Sequence, residues 1–195
     1  MRKLRHDEIP RLAPDELAAV PRHPVVAVLD DIRSLYNVGA IFRTSDAARI
    51  EKLYLTGITP TPEHPGMHKT ALGAQDLVPW ERHRDPLPLV DRLRAAGYTL
   101  AVLEITDTPS HIADLDASHF PLCLIVGNEV HGVRDALVAR ADVALEIPQY
   151  GAKQSLNVAV AYGVAVFGLV ERCRSLQGLP PHPDEPARLP DRMDA

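Results

Sequence analysis

Short apolar runs alternate with amphipathic stretches along most of the chain. The β-branched run VVAVLD (25–30) predicts a buried strand, and the stretch after it (37–50) spaces its apolar residues as a helix does. The same alternation predicts strands at 52–57, 98–105, 122–127 and 142–148, and helices at 87–96 and around 133–141. Strands that alternate with helices and are apolar on both faces are typical of parallel sheets. We therefore expect an α/β domain, with a mainly parallel sheet and helices on both faces.

The stretch from Ile147 to Phe167 combines two patterns that do not belong together. It starts like a strand, passes through a polar loop that contains Ser155 and Asn157, and ends in a helix whose early turns are almost entirely apolar. Polar groups beside a buried helix cost free energy unless something pairs with them. The loop therefore predicts a bound ligand.

The apolar helix itself, residues 158–170, is too short to cross a bilayer and predicts a core or interface element. Gly163 and Gly168 within it permit a second helix to pack closely, either inside the monomer or across a two-fold axis. The chain has two cysteines and no apolar signal segment at its start. We expect a cytoplasmic protein with reduced thiols and no membrane association.

Length and composition predict one domain. The chain has 195 residues, of which 46% are hydrophobic and 24% charged, which suffices for a single well-buried core. We expect this domain over residues 25–177, between an N-terminal extension (1–24) and a Pro-rich mobile tail (178–195). The net charge of −5 argues against a large nucleic-acid footprint, but not against an enzyme that touches RNA over a small area.

The middle section, residues 58–84, shows no clear period and predicts a long surface loop with a short helical piece. Two of its histidines, His64 and His68, are four residues apart. Pro65 and Gly66 between them are incompatible with a helical pair of metal ligands. We predict no metal.

Three polar segments each follow a predicted strand and open a helix. They are SLYNVGAIFR (34–43), GNEVHG (127–132) and PQYGAKQSLN (148–157). In open parallel sheets, ligands bind beyond the carboxyl ends of the strands, where such segments meet. Their positions predict one shared site.

Taken singly, the residues of these segments have ordinary structural explanations. Glu129 could be an acid favoured in the first turn of a helix, and Arg43 a solvated surface charge. Ser155 could be a helix N-cap and Asn157 a satisfied buried amide. An apolar helix needs only one cap, however, so the burial of Asn157 as well favours a binding role.

Together the segments resemble the three motifs of the SpoU/TrmH family of SPOUT RNA methyltransferases. The first motif is similar to Asn37-x-Gly39 with Arg43, and the second to Gly127-Asn128-Glu129 with Gly132. The third is similar to Ile147-Pro148 through Gly151 to Ser155-Leu156-Asn157-Val158. Order and separations match, and the resemblance covers roughly residues 25–175.

The resemblance implies a SPOUT-type fold with a C-terminal trefoil knot, acting as a homodimer. It also implies S-adenosyl-L-methionine as cofactor, with Gly127, Ile147 and Leu156 around its adenosyl part and Thr106 as a further contact. Similar enzymes methylate a ribose 2′-hydroxyl, and we expect an RNA substrate, tRNA ahead of rRNA.

Catalytic roles follow from the same resemblance. Arg43 is the central residue by family likeness, and its guanidinium is too weak an acid to serve readily as a base. We expect it to hold a phosphate and to stabilise the developing alkoxide, while Asn37, Glu129, Ser155 and Asn157 organise Arg43 and the ribose.

The target RNA stays open at this stage, since many family members carry an added RNA-binding domain or long terminal helices. The 58–84 section is the candidate RNA-contacting surface, through His64, His68, Lys69, Trp80, Arg82 and Arg84. Methylation of a base atom and a non-catalytic RNA-binding module are the competing hypotheses.

Overall fold

A six-stranded parallel sheet forms the centre of the molecule. The computed structural model describes residues 1–5, 8 and 14–179. The strands are β1 (His23–Asp30), β2 (Ile50–Thr56), β3 (Trp80–His83), β4 (Thr99–Leu103), β5 (Leu122–Val126) and β6 (Val143–Leu145). Their order across the sheet is β3-β2-β1-β5-β4-β6, and every pairing is parallel. The predicted parallel sheet is confirmed.

Helices cover both faces of this sheet. They are α1 (Pro14–Ala19), α2 (Leu35–Ala47), α3 (Met67–Ala71), α4 (Ala74–Leu77), α5 (Pro86–Ala95), α6 (Asp135–Val138) and α7 (Val158–Leu176). Alternate residues of β1 point to opposite cores. Val25, Ala27 and Leu29 pack with α2, α3, α4 and α7, while Val26 and Val28 pack with α5 and α6. Burial on both sides explains why β1 reads as a continuous apolar run.

Local chemistry sets the ends of α2. The Ser34 side chain accepts a hydrogen bond from the backbone N–H of Asn37, which caps the start of the helix. The helix ends at Ala47 and Arg49 takes a left-handed conformation (φ 50°), so the predicted stretch of 37–50 extended too far. Ile50 already belongs to β2.

The short helical piece predicted within 58–84 is confirmed, but the prediction that the rest is a surface loop was wrong. This section contains α3, α4 and the edge strand β3, which pairs with β2 from Leu53↔Trp80 to Thr56↔His83. β3 has only four residues and is not buried on either face, so it carries no apolar periodicity. Trp80 packs against the core.

Two glycines of the apolar helix α7 face other parts of the same chain. A Cβ on Gly163 would meet Thr44 of α2 at 3.8 Å, and a Cβ on Gly168 would meet Ile112 at 3.2 Å. Further along the same contact, the buried hydroxyls of Ser45 and Tyr162 lie 2.7 Å apart. α2 and α7 therefore lie side by side on one face of the sheet, and packing inside the monomer accounts for Gly168, whereas a Cβ on Gly163 would make only an ordinary contact.

The strand order places the switch point of the sheet between β1 and β5. The chain leaves β1 towards β2 on one side, while β5 and β4 lie on the other. Segments that follow β1 and β5 therefore meet at the carboxyl edge, where open α/β sheets bind ligands. The trefoil knot stays a prediction.

The N-terminal extension is attached to the domain through α1. The Arg49 guanidinium donates hydrogen bonds to the carbonyls of Leu17, Val20 and Pro21. The predicted mobile tail lies mostly outside the described residues, since 180–195 are not among them. Of the helices in the described ranges, none combines the length and apolarity needed to span a bilayer.

Candidate active site

A cavity of about 810 Å³ opens at the carboxyl edge of the sheet. Leu103, Val126 and Leu145, at the ends of β4, β5 and β6, form its floor, and the loops that follow these strands form its walls. Its volume suits a small organic ligand.

Sequence reasoning placed four cofactor contacts, and all four line this cavity: Thr106, Gly127, Ile147 and Leu156. Gly127 is required for steric reasons. A Cβ at this position would lie 2.2 Å from the carbonyl carbon and oxygen of Gly132. The missing side chain therefore lets the backbone of Gly132 pack directly against Gly127 at the cavity wall.

Thr106 carries an unsatisfied polar atom into the cavity wall. Its Oγ1 is buried and has no hydrogen-bond partner among the described residues. A buried hydroxyl without a hydrogen-bond partner costs free energy on folding. Such a group in a native structure needs an explanation, and a bound ligand is one.

Residues 128–132 form a tight turn held by backbone hydrogen bonds between Asn128 and Gly132, at 3.0 and 2.9 Å. The Asn128 amide donates to the carbonyl of Asp31 (2.8 Å), and its Oδ1 accepts from the N–H groups of Val130 and His131. Asn128 therefore joins the turn to the end of β1. Sequence reasoning gave it no role, although its place between Gly127 and Glu129 was a signal.

Glu129 binds the start of α2. Its Oε2 accepts from the N–H of Arg33 (2.9 Å), and its Oε1 accepts from the N–H of Ser34 (3.0 Å) and from Asn37 Nδ2 (2.9 Å). Partial burial opposes ionisation, but these donors together hold the pKa of the Glu129 carboxyl below its usual range. The expected position of Glu129 in a first helical turn was wrong, since α6 begins only at Asp135.

Asn37 extends this connection to the third segment. Its Oδ1 accepts a hydrogen bond of 3.1 Å from Asn157 Nδ2. Asn157 is itself the N-cap of α7, because its Oδ1 accepts from the N–H groups of Ala159 and Val160, and it is exposed, so the expectation of a buried amide beside a separate cap was wrong. Glu129, Asn37 and Asn157 thus form one continuous chain of hydrogen bonds through the three polar segments.

Ser155 is not the helix cap that its position suggested. It lies in the exposed loop before Asn157, lines the cavity and makes no hydrogen bond within the described part of the chain. Its hydroxyl is therefore available to a ligand.

Two predicted site residues, Asn37 and Arg43, do not line the cavity: Asn37 contacts its wall through Glu129 and Asn157, whereas Arg43 has no such contact. It lies on the exposed side of α2, away from the lining residues. In the described ranges no hydrogen bond or ion pair holds its side chain. Its position on the surface leaves it accessible to another molecule.

No group of three or more metal-ligating side chains occurs in the part of the chain that the structure describes. His64 Nδ1 accepts from the N–H of Gly66, and His68 Nδ1 pairs with Gln75 at 2.8 Å. The two histidines thus have separate partners, and the absence of a metal stays a prediction.

The geometry agrees with a known family. Residues 24–167 match the model described as the SpoU rRNA Methylase family. The chain belongs to this family. The resemblance inferred from the three motifs is confirmed.

SpoU relatives of known activity include enzymes for both tRNA and rRNA. The tRNA (guanosine(18)-2′-O)-methyltransferase of Escherichia coli K12 is 26% identical over 152 residues, covering 78% of this chain and 65% of the relative. The 23S rRNA (guanosine(2553)-2′-O)-methyltransferase of Bacillus subtilis is 32% identical over 156 residues, covering 80% of this chain and 61% of the relative. The chain spans less than two thirds of either relative's length.

Solved SpoU structures share the fold. The A. aeolicus TrmH/SpoU tRNA modifying enzyme matches with a TM-score of 0.75 and 26% identity, over 85% of this chain and 82% of that one. The AdoMet-bound rRNA methyltransferase of Sinorhizobium meliloti matches with a TM-score of 0.70 and 28% identity, over 85% of this chain and 61% of that one.

Proposed function

We propose that the protein is an S-adenosyl-L-methionine-dependent RNA methyltransferase that modifies a ribose 2′-hydroxyl of tRNA. One observation carries the proposal. In a chain of the SpoU family, Glu129, Asn37 and Asn157 link the three motif segments by hydrogen bonds beside a cavity of ligand size.

The cavity fits the cofactor on the chain's own chemistry. Gly127 lines the cavity, and the unpartnered Oγ1 of Thr106 offers a hydrogen-bonding group. Ile147 and Leu156 supply apolar contact on the facing walls. When bound, S-adenosyl-L-methionine supplies an activated methyl group on a sulfonium. The AdoMet-bound S. meliloti relative supports this choice.

The remaining site residues act on the ribose. A hydroxyl is a poor nucleophile that must be aligned and must lose its proton. Glu129 is a poor base because its pKa is lowered and both of its oxygens accept hydrogen bonds. Its role is to fix Asn37 and Asn157, while the free Ser155 hydroxyl is positioned to bind the ribose.

Arg43 stabilises the alkoxide and the neighbouring phosphate, as a permanent cation can. It does not line the cavity of its own chain, so it acts in the site of a second copy. We propose a homodimer formed through the outer sides of α2 and α7. Tyr36 and Arg43 on α2, and Val160, Val164 and Phe167 on α7, are exposed in the monomer.

The second candidate substrate is rRNA, favoured by the 32% identity to the B. subtilis enzyme. To decide, RNA from a strain lacking this protein is incubated with the purified protein and S-adenosyl-L-methionine, then digested and analysed by mass spectrometry. We expect a ribose-methylated nucleoside in the tRNA fraction. A methyl group on rRNA would change the substrate, and one on a base atom would change the reaction. Cofactor binding without any transfer would indicate a non-catalytic module.

A further inference from the structure

Most arginine side chains of the domain have partners within the chain. Carboxylates or backbone carbonyls bind Arg22, Arg49, Arg92, Arg94, Arg134 and Arg140. The side chains of Arg33 and Lys153 have no hydrogen bond or ion pair in the ranges that the structure describes, and the same holds for Arg43, Lys69, Arg82 and Arg84. Arg33 and Lys153 are both exposed. These two cations are available to an external anion.

Arg33 and Lys153 both adjoin residues that line the cavity. The backbone N–H of Arg33 binds the cavity-lining Glu129 at 2.9 Å. Lys153 directly precedes Gln154 in the loop that forms the facing wall. They therefore lie beside two different segments of the cavity wall.

An aromatic side chain lies in the same loop as Lys153. Tyr150 is 97% exposed, whereas Tyr162 is fully buried and Tyr54 is 7% exposed. The base of the loop is held by a hydrogen bond from Gln149 Nε2 to the carbonyl of Ile147. Tyr150 thus contributes nothing to the packing of the described chain, although it extends from a hydrogen-bonded turn.

We propose that Arg33, Tyr150 and Lys153, the entrance residues, bind single-stranded RNA beside the target ribose. A nucleotide base stacks on the Tyr150 ring, and the two cations bind flanking phosphates. Stacking on aromatic rings together with basic contacts to the backbone is how proteins hold unpaired RNA. The inference rests on the proposed function and names the chain's own contacts to the substrate.

The stacking part is tested with a fluorescent single-stranded RNA of about 12 nucleotides, a length within the usual site size. Tyr150→Ala is expected to weaken binding in fluorescence anisotropy roughly 5- to 150-fold, the range for removal of one stacking partner. Tyr150→Phe keeps the ring and is expected to bind as the wild type does. Equal weakening in both variants, or none in Tyr150→Ala, overturns the stacking role.

The two cations are tested by the salt dependence of the same binding. Removing one cation that binds a phosphate of single-stranded RNA lowers the slope of log affinity against log salt by about 0.7. We expect this change for Arg33→Ala and for Lys153→Ala. Arg92→Ala is the matched control, because Arg92 pairs with Glu81 away from the cavity. Unchanged slopes in both entrance variants overturn the phosphate contacts.

Failure of this inference is distinguishable from failure of the proposed function. S-adenosyl-L-methionine affinity, measured by calorimetry, is expected to stay within about twofold of wild type in all three entrance variants, since none of them contacts the cavity floor. If the wild type methylates RNA while the variants bind it normally, only the inference fails. If the wild type methylates no RNA, the proposed function fails, and the anisotropy series still decides the entrance residues.

Discussion

At the scale of single residues, both carboxylate oxygens of Glu129 accept hydrogen bonds, and neither donates one. Glu129→Gln places a donor amide against the N–H donors of Arg33, Ser34 and Asn37, so at least one contact becomes repulsive. Loss of a hydrogen bond to a charged group predicts a fall of roughly 10- to 100-fold in kcat/KM for RNA. Steady-state kinetics measure it, and an unchanged kcat/KM would remove Glu129 from the positioning network.

The lowered pKa of Glu129 also fixes how its contribution depends on pH. The pKa of Glu129 is lower in the folded protein than in the unfolded chain, where it is about 4.3. The contribution of Glu129 to the unfolding free energy is therefore fully present above the unfolded pKa, and it is lost as the pH falls through the folded pKa. Between neutral and mildly acidic pH, Glu129 therefore stays ionised, and activity should not change through this group.

Thr106→Val should have opposite effects on folding and on binding. The substitution removes a buried hydroxyl that has no partner in the described chain, so we expect the free protein to gain about 1 kcal/mol in unfolding free energy. The same substitution removes a ligand contact, so S-adenosyl-L-methionine should bind roughly tenfold more weakly. Urea unfolding and calorimetry measure the two effects. Reduced stability of the variant would mean that Thr106 Oγ1 already has a partner.

At the scale of elements, an ionic cluster joins the end of β1 to the segment that carries Glu129. Arg134 contacts the buried Asp30 through Nε (2.6 Å) and Nη2 (2.8 Å), and Nη2 also contacts Asp31 at 2.8 Å. Burial is the main influence on Asp30 and raises the pKa of its carboxyl. The Asn128 side-chain amide also donates a hydrogen bond to the Asp31 carbonyl. Together with the ionic cluster, this bond attaches both ends of the 128–134 segment to the end of β1.

Arg134→Met should leave Asp30 as an unpaired buried acid. We expect a loss of about 3–5 kcal/mol in unfolding free energy, most of it regained in the double variant Asp30→Asn/Arg134→Met. An acid whose pKa is raised in the folded protein contributes most to the unfolding free energy at low pH. This contribution is lost as the pH rises through the folded-state pKa. The deficit of Arg134→Met should thus be larger at about pH 8 than at about pH 5. Denaturant titrations test this, and a deficit independent of pH would contradict it.

The elements differ in how well the sequence alone predicts them. β1 and β5 were predictable because each is an apolar run buried on both faces. β3 was not, because Glu81, Arg82 and His83 give it no pattern and only its pairing with β2 defines it. The cavity lining was predicted through the family motifs, whereas the contact from Glu129 to Asn37 joins residues 92 positions apart. Such a contact depends on the topology and has no local signal.

At the scale of the whole molecule, the proposed dimer depends on an exposed apolar stripe on α7. Phe167 is 48% exposed, so Phe167→Asp should leave the monomer folded while a charge blocks association. Sedimentation velocity should show a monomer. Leu72→Asp is the control, since Leu72 is 65% exposed and lies outside both α2 and α7. Gly163 is unsuitable for this test because its Cβ position already faces Thr44 within the chain.

The position of Arg43 predicts that each active site uses two chains. Arg43 lies on the outer side of α2 and does not line the cavity of its own chain, whereas Glu129 does. Arg43→Ala and Glu129→Ala homodimers should therefore both be inactive. A mixed dimer of the two variants contains one site with an intact cavity and an intact Arg43 from the partner.

Mixing the two inactive variants should therefore restore activity. Random exchange of equal amounts makes about half of the dimers mixed, each with one complete site, so about a quarter of the wild-type activity should return. Methyl transfer to RNA is measured before and after subunit exchange, and Arg43→Ala mixed with Phe167→Asp serves as a control that cannot form mixed dimers. If Arg43 acted on its own chain's cavity, every site in the mixture would lack one residue and no activity would return.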